Sequence, residues 1–243
     1  MIIYSLLKIK LSGLGHEYWK EVIEVLRIII PQYDKVNRAI SFRKDNEFRL
    51  RSIRGHIFPA ETILDAGSGF GNMTNIVLSE VGGSTKIVMY DAIVDMLTNA
   101  KKKFSNDISP YASSGVFEYL PFQNEVFDVV MYGYSLRDSI ELKQAISEAY
   151  RVLKSGGRII IVDLGKPDNL IIRAGVSFYL KYILKLVAFV AAGKTGLKFK
   201  TLYDTYTRWP RNTDLNALLR EKFSRVEFDK AMMGGAIMVS AYK

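Results

Sequence analysis

The stretch Ile63-Leu64-Asp65-Ala66-Gly67-Ser68-Gly69-Phe70-Gly71 constrains this chain more than any other. A short apolar run ends in an acid and passes directly into three glycines at alternate positions. The pattern reads as a buried strand feeding a tight turn, with a helix opening near Asn72. Glycine has no Cβ, so the backbone can turn sharply there and lie flat against a ligand. The spacing is Gly-x-Gly-x-Gly. The dinucleotide fingerprint is Gly-x-Gly-x-x-Gly, which leaves room for a pyrophosphate at a helix N-terminus. Asp65, at the strand end, disfavours a neighbouring phosphate and suits a cationic ammonium. S-adenosylmethionine carries such an ammonium and has no phosphate. The alternative is a glycine turn that only lets strand and helix pack closely.

The residues that follow alternate between strand and helix. Strands are predicted over 62–66, 86–90, 127–132 and 158–162, and helices over 72–81, 92–104 and 140–154. Gly156-Gly157 marks the turn into the fourth of those strands. Such alternation means a parallel sheet covered on both faces. Residues 225–230 and 236–242 read as two further strands, close enough to pair as an antiparallel hairpin. The expected fold is therefore α/β and Rossmann-like. Its sheet is mostly parallel and seven-stranded, with helices on both faces and a C-terminal hairpin. A further strand is expected just ahead of Phe117. Upstream, residues 17–30 carry apolar side chains at helical spacing until Pro31, and 46–56 form an arginine-rich helical stretch.

The 243 residues form one expected domain, with 1–57 as an N-terminal helical cap and 168–209 as a helical lid. The chain has no cysteine and two histidines, which excludes thiolate chemistry and argues against a histidine-rich metal centre. Its net charge of +9 suits an anionic surface or an acidic substrate, and no nucleic-acid motif accompanies it. The first eleven residues lack a signal-peptide pattern, so the expected location is the cytoplasm.

Residues 168–192 are mostly apolar but carry Arg173, Lys181 and Lys185 on one side of a helix. Charges at the centre of a span are costly, which argues against a transmembrane segment. Two readings remain open: a helix packed into the core, or an amphipathic surface for a membrane or a lipid-linked substrate.

Asp91 closes the second strand, where ligands bind in open α/β sheets. It can accept hydrogen bonds from the vicinal hydroxyls of a ribose, and can also cap the helix from Ala92 onward. With Leu120-Pro121-Phe122, Phe127-Asp128 and Ser135-Leu136-Arg137-Asp138, the chain resembles the class I S-adenosylmethionine-dependent methyltransferases. It is similar, more narrowly, to the ubiquinone/menaquinone biosynthesis C-methyltransferase family. Tyr33-Asp34-Lys35-Val36-Asn37 with Ser41-Phe42, Arg151-Val152-Leu153-Lys154 and the segment from Tyr203 to Trp209-Pro210 extend the resemblance over most of the chain. Three departures concern the acceptor more than the cofactor. Val116 stands where the family has Asp, Asp138 where it has Asn, and Ala241-Tyr242 where it ends in His.

The resemblance implies S-adenosyl-L-methionine as cofactor, held by Asp65, Gly67, Gly69, Gly71, Asp91, Ala92, Phe117 and Glu118. It implies a small-molecule methyl acceptor, with room for a lipid-linked one at a peripheral membrane position. Arg137 would stabilise a developing phenolate, because its pKa is too high for a base. Asp138 would orient Arg137 or take the proton. Tyr33 would face the ligand from the N-terminal cap, opposite Tyr203 and Trp209. C-methylation of a quinone precursor leads the readings. O- or N-methylation of a soluble molecule and cofactor binding without catalysis stay open.

Overall fold

A computed structural model describes residues 13–29, 38, 41, 43–104 and 110–243. Seven strands form one sheet in the order β3-β2-β1-β4-β5-β7-β6. They are β1 Thr62–Ala66, β2 Lys86–Asp91, β3 Tyr111–Ser114, β4 Phe127–Gly133, β5 Leu153–Leu164, β6 Arg225–Ala231 and β7 Ala236–Tyr242. β1 to β5 run parallel, while β7 lies antiparallel to both β5 and β6. The described helices, in chain order, are α1 His16–Ile29, α2 Asp45–Ile53, α3 Asn72–Val81, α4 Val94–Lys101 and α5 Leu142–Val152. They continue with α6 Leu170–Phe178, α7 Leu184–Ala192, α8 Thr201–Arg208 and α9 Asn212–Arg220.

The central strands are apolar throughout because they are buried on both faces. Successive side chains point to opposite sides, so each strand feeds two cores. Leu64, Val130, Tyr132, Ile159 and Ile161 pack with α5 and α9. Ile63, Val129, Met131, Ile160 and Val162 pack with α2 and α3. A third cluster joins Ile29 of α1 to Leu180, Leu184, Ala188, Phe199 and Tyr206 of the segment after β5.

Several boundaries differ from the sequence reading. β5 starts at Leu153 and takes in Gly156-Gly157, where a left-handed Gly156 (φ 75°) shifts the register against β4. α5 is correspondingly shorter than 140–154, since Leu153 is already extended. α4 opens at Val94, not Ala92: the Asp91 carboxylate accepts from the Ile93 amide at 2.8 Å and holds the chain in a turn first. α2 runs one residue earlier at its start and ends at Ile53. β3 is a mostly exposed edge strand whose Tyr-Ala-Ser-Ser sequence carries no alternation that could mark it.

Residues 170–192 form one continuous helix through a π-turn at Tyr179–Ile183; the backbone breaks at Gly193 (φ 58°), and a 3-10 stretch then leads into α8. The segment has one buried face and one exposed apolar face. Leu180, Leu184 and Ala188 are buried against α1, whereas Ile171 (82% exposed), Leu186 (62%) and Val190 (79%) stand in solvent. Among the described residues this is the stretch long and apolar enough to cross a membrane.

Candidate active site

The strand order reverses between β1 and β4, and ligand clefts open at such a switch point, beyond the strand carboxyl ends. The glycine turn follows β1, and Gly67, Gly69 and Gly71 all have positive φ (73°, 52° and 71°). The position is most restrictive at Gly67. The Ser135 hydroxyl donates to the Ala66 carbonyl at 2.7 Å, tying the ends of β4 and β1 together. A Cβ at Gly67 would collide with that serine.

Gly67, Gly69, Asp91, Ala92, Phe117 and Glu118 line one cleft, together with Ser135 and Asp138. Gly71 lies beneath it, capping α3 with its Cα close to the Phe104 ring. Asp91 is nearly buried, and its two carboxylate oxygens accept from the Gly69 and Ile93 amides, both at 2.8 Å. Each oxygen keeps a second lone pair for a ribose hydroxyl. Glu118 holds the Glu141 amide with one oxygen and leaves the other buried without a partner among the described residues.

Asp65 is fully buried beneath the glycine turn. Its Oδ2 accepts from Thr74 Oγ1 at 2.6 Å and from the Thr74 amide at 3.1 Å. Its Oδ1 has no partner among the described residues. Burial pushes its pKa up to about 7, against the lowering effect of the Thr74 bonds and of Arg49. An acceptor-only group in that state fits a cationic ligand.

Arg137 and Asp138 stand on a short 3-10 turn (Leu136–Asp138) after β4. The two form a loose ion pair at 3.9 Å. Arg137 bonds more closely through Nη1 to Asp163, at the end of β5, and through Nε to Thr205 Oγ1 on α8 at 2.9 Å. Sequence reasoning missed both partners. Asp163 carried a readable signal, since it ends an apolar run in an acid just as Asp65 does. Thr205 carried none. Asp138 keeps 22% of its side-chain surface open, and burial raises its pKa to about 6 although Arg137 lowers it.

A second, larger cavity of about 600 Å³ adjoins the cleft, and Leu26, Tyr134 and Asp138 line both. Its walls are mostly apolar and come from α1, α2, α6, the residues after α7, and Met232-Met233 at the β6–β7 turn. Arg137, Asp138 and Thr205 stand at one polar patch, and Ser41, Asp45 and Arg49 at another. Tyr33 lies outside the described residues. Tyr203 packs against the third cluster, and Trp209 is buried in the core with α5 and α9; neither lines the two cavities.

A seven-stranded sheet with this order, a glycine turn after β1 and acids closing β1 and β2 defines an S-adenosylmethionine-dependent methyltransferase. Solved structures share the fold: a methyltransferase from Thermotoga maritima superposes with a TM-score of 0.64 at 17% identity over 90% of this chain and 99% of that one. One from Aquifex aeolicus gives 0.57 at 14% identity over 86% and 97%. The chain belongs to the ubiE/COQ5 methyltransferase family, whose model matches residues 14–243. Its relatives include a demethylmenaquinone methyltransferase of Lactococcus lactis, 31% identical over 90% of this chain and 87% of that protein. They also include the ubiquinone/menaquinone biosynthesis C-methyltransferase UbiE of Methylococcus capsulatus, 26% identical over 94% of each.

Proposed function

We propose that the chain transfers a methyl group to a ring carbon of a prenylated quinone precursor in its hydroquinone form. The observation that carries this reading is the apolar cavity of about 600 Å³ that meets the cofactor cleft at Asp138 and Tyr134. A small polar acceptor needs no such space, whereas a prenyl tail fills it with apolar contacts.

The cofactor supplies an electrophilic methyl group. Asp65 Oδ1 and Asp91 would hold its ammonium and its ribose, and Phe117 and Glu118 its adenine. Trp19, Ile23 and Leu26 of α1 line the same cleft and would pack against the bound cofactor. Across the junction, Asp138 takes the proton of the ring hydroxyl; with its pKa near 6 it is mostly ionised at neutral pH. Arg137, fixed by Asp163 and Thr205, presents a preorganised positive charge to the phenolate oxygen. The apolar walls would limit water around the ring and orient the carbon that accepts the methyl group; the hydrogen on that carbon then leaves as a proton, which restores the aromatic ring.

The setting follows from the tail. Ile171, Met232 and Met233 are exposed at the Met232-Met233 side of the cavity, next to lining residue Ile172. With the exposed face of α6 and α7 they form an apolar surface flanked by Lys181 and Lys185, and the chain is cationic overall. Arg173 does not join that stripe, because its guanidinium turns back to the Pro167 and Asp168 carbonyls. Such a surface rests on an anionic bilayer and lets the tail enter without crossing water. The direct test is incubation with a short-chain demethylmenaquinol and S-adenosylmethionine. The expected product carries one new carbon-bound methyl; an O-methyl ether, or no product from a folded, cofactor-binding protein, overturns the reading.

A further inference from the structure

Two buried ion pairs face the large cavity, and the reaction outlined above uses only one. Arg137–Asp163 serves the reacting oxygen. The other is Arg49–Asp45 on α2, at 2.8 Å, with side chains 7% and 12% exposed. Both Asp45 oxygens accept, Oδ2 from Arg49 Nη1 and Oδ1 from the Ser41 hydroxyl at 3.0 Å. Arg49 is less fully paired. Its Nη1 also reaches Asn46 at 3.3 Å, but its Nε is buried with no hydrogen-bond partner among the described residues.

A buried ion pair in an apolar wall is weak support for stability, and an unmet guanidinium N–H in such a wall is a cost. A group kept there in that state is suited to a ligand oxygen. Tyr134 strengthens the case. Its backbone is left-handed (φ 64°), a strained state for a tyrosine, and it stands in the wall of both cavities. The Arg49 guanidinium lies 4.8 Å from the centre of its ring. Arg49 and Asp45 on one side, and Arg137 and Asp163 on the other, all act electrostatically on its hydroxyl. The two ion pairs thus flank one aromatic residue at the mouth of the cofactor cleft.

We propose that Arg49 is a second oxygen-recognition residue, donating a guanidinium N–H to the ring oxygen para to the one that Arg137 stabilises. Asp45 and Ser41 hold the guanidinium in place, and Tyr134 supplies the surface against which the ring lies. The inference rests on the quinone-precursor reading. Its consequence is selectivity: the site prefers rings with two para oxygens over rings with a single hydroxyl. A site built to pair with an oxygen rejects an analogue that lacks it, because its own buried donor is then left unmet.

The test compares kcat/KM for a short-chain prenylated naphthalene para-diol with that for the matching naphthol, which keeps only the hydroxyl next to the reacting carbon. The wild-type chain should favour the diol by about tenfold or more. Arg49→Met should reduce that ratio to within about twofold of unity, chiefly through KM, and Arg49→Lys should restore part of it. A structural role would lower both rates together and leave the ratio intact, which overturns the proposal. Equal use of both rings by the wild-type chain also overturns it, with no variant required. If the wild-type chain binds S-adenosylhomocysteine but methylates neither ring, the quinone reading itself fails and this proposal falls with it.

Discussion

Arg137 Nε donates to Thr205 Oγ1 at 2.9 Å, although the two residues are 68 positions apart. One stands on the turn after β4 and the other on α8, and both line the large cavity. On the proposed reading, the bond couples the charge beside the reacting oxygen to the wall of the acceptor site.

That coupling is testable with Thr205→Val, which keeps the shape and removes the acceptor. A buried guanidinium N–H is then unmet, at about 1–3 kcal/mol. The melting temperature should fall, and kcat should fall more than KM rises, because Arg137 is no longer held in register. A variant with wild-type kcat would show that Asp163 alone fixes Arg137.

The glycine turn gives a sharper outcome. Gly67→Ala places a Cβ against Ser135 at a left-handed position. Strain of about 1–3 kcal/mol is expected, together with loss of S-adenosylhomocysteine binding in calorimetry. Pairing it with Ser135→Gly should recover part of the binding by removing the clash, but not the part due to φ.

Asp65 predicts a pH effect. Burial raises its folded pKa to about 7, so its contribution to stability is present below about pH 4 and is lost as pH rises through about 7. Asp91, Asp138 and Asp163 are also raised by burial, with the same sign. A bound ammonium reverses this by favouring the carboxylate. The gain in melting temperature on adding S-adenosylhomocysteine should therefore grow between about pH 6 and pH 7.5, with proton release on binding. Asp65→Asn should abolish that growth.

Asp138 predicts an acidic limb. With a pKa near 6 it loses the power to accept a proton below that value, so kcat should fall as pH drops through about 6. Asp138→Asn, which installs the residue the family carries, should remove the limb. A limb that persists in the variant would assign the proton transfer elsewhere.

The exposed face of α6 and α7 predicts reversible, salt-sensitive flotation with anionic vesicles. Lys181→Glu with Lys185→Glu should weaken it. Leu186→Ser with Val190→Ser should weaken it independently of salt, because those changes remove apolar area and leave the charge. Protein that stays in the supernatant at low salt would confine catalysis to acceptors free in solution.

Local pattern was enough for the sheet's central strands, the glycine turn and the acids that close β1 and β2. Period-two burial, φ > 0 and strand-end carboxylates are each written in neighbouring residues. Leu64 and Ile63 had to face opposite cores, and Gly67 could carry no side chain. The tertiary structure decided what depends on residues distant in sequence. It bound Arg137 more closely to Asp163 and Thr205 than to adjacent Asp138, and it placed Arg49 in a cavity wall. It also split the segment after β5 into a buried face and an exposed one, although both are equally apolar in sequence. Hydrophobicity states how much surface a helix would hide; only the packed neighbour, here α1, determines which side is hidden.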